Sequence, residues 1–157
     1  MALATPATLA LRALGIAFEL RTYDYDPNAE RVGLQAADAL GEAASRVLKT
    51  LIAQVDGKPV CLVLPSDREA SMKKVAAAFG GKSAAMMPVP DAERLTGYKV
   101  GGVSPFGQKK KLRTVVDASA SSEAYVYVNG GQRGLQIRMA PGDLIKASDA
   151  LAVLIAA

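Results

Sequence analysis

Lys49 is the first residue whose setting suggests chemistry. It lies in Val47-Leu48-Lys49-Thr50-Leu51-Ile52-Ala53, where strand alternation sets it on the same face as the apolar Val47, Leu51 and Ala53. An ammonium there either snorkels to water along its aliphatic stem or is held, partly desolvated, to position an anionic or carbonyl group. A second candidate is Gly101-Gly102-Val103-Ser104-Pro105-Phe106-Gly107-Gln108, followed directly by Lys109-Lys110-Lys111 and Arg113. Glycines let backbone N–H groups approach a substrate oxygen closely, and consecutive N–H groups can form an anion nest or an oxyanion hole. The order of residues is not that of a Walker A loop, which needs Gly-Lys-Ser/Thr at a fixed spacing. The alternative for this stretch is a plain connecting loop with a solvated basic tail. A third glycine-rich stretch, Asn129-Gly130-Gly131-Gln132-Arg133-Gly134, reads as a turn between strands unless it meets the first loop across a shared cleft. Tyr23, at the end of a strand pattern, reads as a core-edge tyrosine or a ligand contact.

Composition narrows what these groups can do. The 157 residues contain no histidine and a single cysteine. Ser-His and Cys-His nucleophile pairs are therefore excluded, and a conventional zinc site has no ligand set. Chemistry must come from lysine, carboxylates, hydroxyls, backbone N–H groups or the substrate itself, and no cofactor is called for. Cys61 sits inside Val60-Cys61-Leu62-Val63-Leu64, where a thiol behaves as a small buried hydrophobe. Nineteen Lys and Arg against fifteen Asp and Glu give a net charge of +4, a mild excess that suits a polyanionic partner. The N-terminus lacks the pattern of a secretory signal, and no run of about 18 apolar residues could span a bilayer, so a cytoplasmic setting without a membrane is expected.

The elements that must position these residues follow from the pattern. Thr5-Pro6 followed by Leu9, Leu11, Leu14 and Gly15 predicts a helix with an N-cap threonine and proline at its first position. Period-two alternation over 16–23 predicts a strand with Ile16, Phe18 and Leu20 on one face, then a loop over 24–30 and a helix over 35–40 closed by Gly41. Asp56-Gly57 between two apolar runs signals a tight hairpin. Ser71 precedes a helix that ends before Gly80-Gly81, with Lys73 and Lys74 towards solvent, and a short helix starts near Pro90-Asp91 and stops at Gly97. Strands are expected over 114–117, 124–129 and 135–139. A final helix begins at Pro141 or Asp143 and extends as far as Ile155. Half the residues are apolar, enough to bury a core. Strands that follow one another through tight turns argue for one α+β domain over residues 1–157, with a mixed, mostly antiparallel sheet surrounded by short helices.

Taken together, several segments resemble the YbaK family of Cys-tRNA(Pro) deacylases, relatives of the editing insertion domain of bacterial prolyl-tRNA synthetases. They are Thr5-Pro6-Ala7, Thr22-Tyr23 with Asp26-Pro27, Val47-Leu48-Lys49-Thr50-Leu51, Lys73-Lys74-Val75-Ala76, Thr96-Gly97-Tyr98, the string from Gly101 to Lys110, and Gly131-Gln132-Arg133-Gly134-Leu135. The long Gly-Gly-x-Ser-Pro-x-Gly-Gln-Lys-Lys string is the specific one. The resemblance implies a YbaK-like barrel and a trans-editing enzyme that removes cysteine misattached to tRNA(Pro). Cysteine and proline are similar in size, so a second, hydrolytic sieve is physically sensible. It implies a catalytic set of Lys49, Gly101 and Gly102, with Tyr23, Thr50, Ser104, Asn129, Gly130 and Gly131 against the substrate. The resemblance further implies that the substrate's own thiol attacks the ester carbonyl, and the Gly101 and Gly102 N–H groups are then expected to stabilise the oxyanion. Lys109, Lys110, Lys111 and Arg113 are expected to contact acceptor-stem phosphates.

Two positions depart from the best-known members: Asn129 stands for a serine, and Gln136 for an acidic residue that it cannot replace as a carboxylate. Prolyl-tRNA synthetase is a candidate second partner. The competing readings are hydrolysis of Ala-tRNA(Pro) or another small aminoacyl ester by activated water, and a non-catalytic tRNA- or synthetase-binding module.

Overall fold

The computed structural model describes residues 4–29 and 34–157, so Glu30, the end of the expected 24–30 loop, lies outside the described residues. Helix α1 (Pro6–Ala13) starts as the sequence dictates: the Thr5 hydroxyl accepts from the Thr8 N–H and the Thr8 hydroxyl accepts from the Thr5 N–H. The same Thr5 hydroxyl donates to the Gly130 carbonyl at 2.5 Å, which ties this helix start to the second glycine loop. Strand β1 (Glu19–Thr22) pairs antiparallel with β7 (Leu135–Met139), which also pairs with β6 (Val126–Asn129). This makes a three-stranded sheet in the order β1-β7-β6. β1 is shorter than the expected 16–23 strand: its ladder with β7 runs only from Glu19–Arg138 to Thr22–Leu135.

A second sheet is built on the hairpin of β2 (Leu48–Val55) and β3 (Lys58–Pro65). Asp56 and Gly57 take positive φ values of 49° and 82°, the type I′ conformation that Asp-Gly favours. β4 (Ala84–Met86), β5 (Arg113–Asp117) and β8 (Leu151–Val153) complete the order β4-β2-β3-β5-β8. The β3–β5 and β5–β8 pairs are parallel and the others antiparallel, so the sheets are mixed and mostly antiparallel, as the sequence implies. They do not close into a barrel. Among the described residues the two sheets share one ladder bridge, Val47–Tyr127, beside which the Tyr127 N–H donates to the Arg46 carbonyl.

Helices α2 (Gln35–Leu40), α3 (Met72–Ala78), α4 (Val89–Thr96) and α5 (Pro141–Ser148) cover the remaining faces. α5 stops earlier than expected: Asp149 turns left-handed at φ 52°, and the following residues form β8 at the sheet edge. β4 was also missed by the pattern, since Ala-Ala-Met has no β-branched signature. Apolar side chains from both sheets fill the space between them, including Leu48, Ile52, Cys61, Val63, Val128 and Ile137. The other face of β3 packs Val60, Leu62 and Leu64 against Val75 and Phe79 of the α3 region. Burial on both faces explains why β3 reads as a continuous apolar run. Ala36 and Ala37 of α2 cover Val47 and Tyr127 on the outer side of the smaller sheet.

Candidate active site

A cavity of about 330 Å³ opens where β2, the end of β1, β4 and the two glycine loops converge. Lys49 and Thr50 line it from β2, Tyr23 and Tyr25 from the segment after β1, Gly101 from the first loop, and Asn129 and Gln136 from the β6–β7 pair. Leu48, Ile52, Met86, Met87, Val89 and Ala92 provide its apolar wall. Segments far apart in sequence meet here because β2 lies between β4 and β3 in the larger sheet and Val47, just before it, bridges to Tyr127 of β6 in the smaller one.

The two glycine loops clasp each other. A Cβ on Gly102 would stand 2.9 Å from the backbone of Gln132 and Arg133, so only glycine permits this approach. Gly101 has φ 87°, and a Cβ there would lie 2.7 Å from the Tyr25 hydroxyl. Asn129 locks the junction: its Oδ1 accepts from the Gly131 N–H at 2.7 Å and its Nδ2 donates to the Gly101 carbonyl at 3.0 Å. Arg133 adds a bond from Nε to the Val100 carbonyl at 2.8 Å and lies over the Tyr25 ring. The Gly102 N–H donates to the Lys99 carbonyl at 2.8 Å and is therefore engaged within the loop. The expected donor pair reduces to one: the Gly101 N–H has no partner among the described residues.

Lys49 is half-buried, and burial holds its pKa below the usual lysine value, partly offset by Glu69 and Asp67 nearby. Burial likewise raises the Tyr23 phenol, Tyr25 adds to the rise, and the Gln136 amide beside it opposes it. No Asp, Glu or Cys is among the described residues lining the cavity. Cys61 is fully buried in the core between the sheets, and desolvation pushes its thiol up to about 11. Thr50 Oγ1 and Gln136 Oε1 are buried polar atoms with no hydrogen-bond partner, and both residues line the cavity. The Gln136 amide nevertheless lies in hydrogen-bond contact with the Tyr23 phenol.

Lys49, Gly101, Tyr23, Thr50 and Asn129 are thus brought together, while the other expected residues are not. Ser104 is fully buried, its hydroxyl accepting from the Phe106 N–H inside its own loop. A Cβ on Gly130 would meet Leu135 at 2.7 Å, and Gly131, at φ 99°, packs against Tyr98 and Thr5. Lys109 and Lys110 are exposed, with their backbone N–H groups held by the Thr96 and Leu95 carbonyls at the end of α4. Lys111 pairs with the exposed Asp149 at 3.5 Å, and the Arg113 guanidinium covers the Phe79 ring. Lys111 and Arg113 border a separate depression.

Tyr25 and Gln136 are the residues that sequence reasoning left out of the site. Gln136 had a usable signal, because the hairpin register makes it the direct cross-strand partner of Asn129. Tyr25 had none, since only the Arg133 contact and the Gly101 approach give it a place.

Among the described residues no helix is long and apolar enough to cross a membrane. Residues 26–147 match the model of the aminoacyl-tRNA editing domain. EbsC of Enterococcus faecalis, described as a candidate Cys-tRNA(Pro)/Cys-tRNA(Cys) deacylase, is 37% identical over 115 residues, which cover 72% of this chain and 70% of that protein. The multifunctional Ser/Thr-tRNA deacylase ProXp-y of Escherichia coli K12 is 29% identical over 107 residues, 66% of this chain and 62% of that protein. A crystal structure described as a candidate trans-editing enzyme for prolyl tRNA synthetase shares the fold, with a TM-score of 0.84 over 99% of both chains at 21% identity. By the extent of the domain match and the identity to its relatives, this chain belongs to the aminoacyl-tRNA editing domain family, the YbaK family of aminoacyl-tRNA hydrolases.

Proposed function

We propose that this chain removes a small, wrongly attached amino acid from tRNA by cleaving its ester, with Cys-tRNA(Pro) as the substrate and the cysteine thiol as the nucleophile. The observation that carries the reading is what the cavity contains: a partly desolvated lysine and an unengaged backbone N–H, with no histidine, thiol or carboxylate among the described residues lining it. Such a site orients and stabilises charge, and leaves the attacking group to the substrate. The thiol sulphur bonds to the ester carbonyl carbon and negative charge develops on the carbonyl oxygen, which the Gly101 N–H and the Lys49 ammonium stabilise. The bond to the ribose oxygen then breaks, the proton released by the thiol ends on that oxygen, and water opens the resulting thiolactone to free cysteine.

Arg133 acts through Gly101 in this scheme: by holding the Val100 carbonyl it fixes the direction of the peptide unit that carries the Gly101 N–H. Lys109, Lys110 and Lys111 are the residues for tRNA phosphates, since Arg113 is committed to the Phe79 ring. Prolyl-tRNA synthetase is the partner that would supply tRNA selection, because phosphate contacts by flexible lysines carry no sequence information.

Single-turnover deacylation of Cys-tRNA(Pro), Ala-tRNA(Pro) and Ser-tRNA by the purified protein tests the proposal. Fast loss of cysteine alone is expected. Preference for alanine would replace the thiol mechanism by an activated water, and no hydrolysis of any ester would leave a binding module.

A further inference from the structure

With the ester against Lys49 and the Gly101 N–H, the rest of the tRNA end must leave the cavity through its mouth. A phosphodiester follows the terminal ribose on its 5′ side, one sugar away from the ester. The cavity itself has no place for that anion: its wall is largely apolar, and Lys49 is the one cation among the described residues lining it. A phosphate drawn inside without a partner would be costly, so it stays at the rim. Arg133 stands there. Its Nε donates to the Val100 carbonyl at 2.8 Å and its guanidinium lies 5.2 Å from the centre of the Tyr25 ring; Val100 and Tyr25 both line the cavity, whereas Arg133 is exposed beside it. The Val100 carbonyl and the Gly101 N–H are the two polar ends of one trans peptide and point to opposite sides of it. Arg133 therefore marks the outer side of the peptide whose other side carries the free N–H.

The two contacts hold the guanidinium without using it up. It has five N–H groups, and only that of Nε is engaged among the described residues, so the edge formed by the two Nη groups stays open. Arg21, Arg46, Arg94 and Arg138 each face a carboxylate, whereas Arg133 forms no ion pair among the described residues, although Asp24 and Asp26 flank Tyr25 in the chain. Arg12, Arg68 and Arg113 also lack a carboxylate, but their partners Phe18, Ala157 and Phe79 do not line the cavity. We propose, on the reading of the cavity as a deacylase site, that Arg133 binds the phosphodiester preceding the terminal adenosine through its two Nη groups, with the aminoacyl ester inside the rim and the rest of the strand outside. A fork already held by two contacts loses little freedom on binding, and it gives a phosphate the bidentate partner that a lysine cannot. The task differs from that of Lys109, Lys110 and Lys111 beyond the end of α4: Arg133 sets the distance between the last phosphate and Gly101.

The test is single-turnover hydrolysis of Cys-tRNA(Pro) that carries either the native phosphodiester or a neutral methylphosphonate before its terminal adenosine, each followed over a range of protein concentration. For the wild-type protein the neutral linkage is expected to raise the half-saturating concentration by about tenfold, the scale of a hydrogen bond to a charged group, and to leave the saturating rate within about twofold. For Arg133→Gln, verified as folded by thermal melting, the half-saturating concentration on the native linkage is expected to rise by a similar factor, with less than about twofold added by the neutral linkage. Loss of the Val100 contact acts on both linkages alike, so the difference between linkages isolates the phosphate. Arg133→Lys, which keeps the charge without the fork, is expected to recover part of that difference. A wild-type protein indifferent to the linkage overturns the inference, and so does an equal loss on the neutral linkage in wild type and Arg133→Gln, which would give the phosphate to another cation. If the wild type hydrolyses neither substrate, the deacylase reading falls and this inference with it; if it hydrolyses both equally well, that reading stands and this inference alone falls.

Discussion

Asp117 and Gln136 are both polar side chains with almost no exposure, at 1% and 4%, but the chain surrounds them differently. Asp117, at the end of β5, is saturated: its Oδ1 accepts from the Ile155 and Ala156 N–H groups at 2.7 and 3.0 Å, and its Oδ2 accepts from the hydroxyl and N–H of Ser119. Burial alone would raise its pKa, and these bonds more than offset that, holding the carboxyl below its ordinary value. Gln136 and Thr50 keep buried atoms unpaired, and burial pushes the pKa of Lys49 beside them down. One node fastens the last strands to the body of the sheet, while the other leaves its binding capacity unspent. Within one small core, burial of a polar group is fully offset by hydrogen bonds at Asp117 and not at Thr50 and Gln136.

The sharpest way to break this contrast is Lys49→Met. Single-turnover hydrolysis is expected to fall about a hundredfold or more, while the melting temperature at neutral pH is unchanged or rises by about 1 °C. The sign follows from linkage: with the folded pKa below the ordinary 10.5, the unfolded chain binds more protons between the two values. Wild-type stability therefore rises with pH through that window, and the advantage of the variant fades as pH approaches 10.5. A variant that melts well below wild type would make Lys49 structural and erase the difference between the two regions.

Asp117→Ala is the converse, expected to lose about 2–3 kcal/mol in urea unfolding with the rate on Cys-tRNA(Pro) within about twofold while folded. Its pH dependence has the same sign, because its folded pKa is also depressed, but it falls in the acid range and here the ionised form stabilises the fold. The carboxylate stabilises the fold above the ordinary value of 3.8, and this is lost as pH falls through the lower folded value. The wild-type urea midpoint should drop steeply below pH 4, and that of Asp117→Asn less so. An activity loss larger than the stability loss would connect Asp117 to the cavity.

The smallest expected effect is at Cys61, outside both regions. With the thiol pushed up to about 11, labelling by an aromatic disulfide at pH 8 should be about a hundredfold slower in the native protein than in urea, and Cys61→Ala should leave deacylation unchanged. Rapid native labelling would show that the core between the sheets opens, and with it the wall shared with the cavity.

Local chemistry was legible in the residues themselves. Thr5-Pro6 starts α1, Asp56-Gly57 turns the β2–β3 hairpin, and Gly41 and Gly97 end α2 and α4, because caps and turns are satisfied within a few residues of chain. The site was legible wherever one residue type in one local pattern implied it: Lys49 on an apolar face and the Gly101-Gly102 loop. What sequence could not carry was the pairing between distant segments. That the two glycine loops clasp and that Tyr25 backs Gly101 depend on contacts between segments far apart in the chain, and that the Gly102 N–H is consumed by Lys99 while that of Gly101 is free of partners among the described residues depends on the path the loop then takes. The same holds for the edges: β4 and β8 are strands only because β2 and β5 offer them ladders, and α5 ends at Asp149 because the chain is needed there. The sequence by itself determined the helix starts, the hairpin, the lack of a histidine-activated nucleophile and the lysine on an apolar strand face, all properties of residue type and short spacing. Only the tertiary structure decided which polar groups stay unpaired, because satisfaction of a buried donor or acceptor depends on neighbours that the chain acquires only on folding.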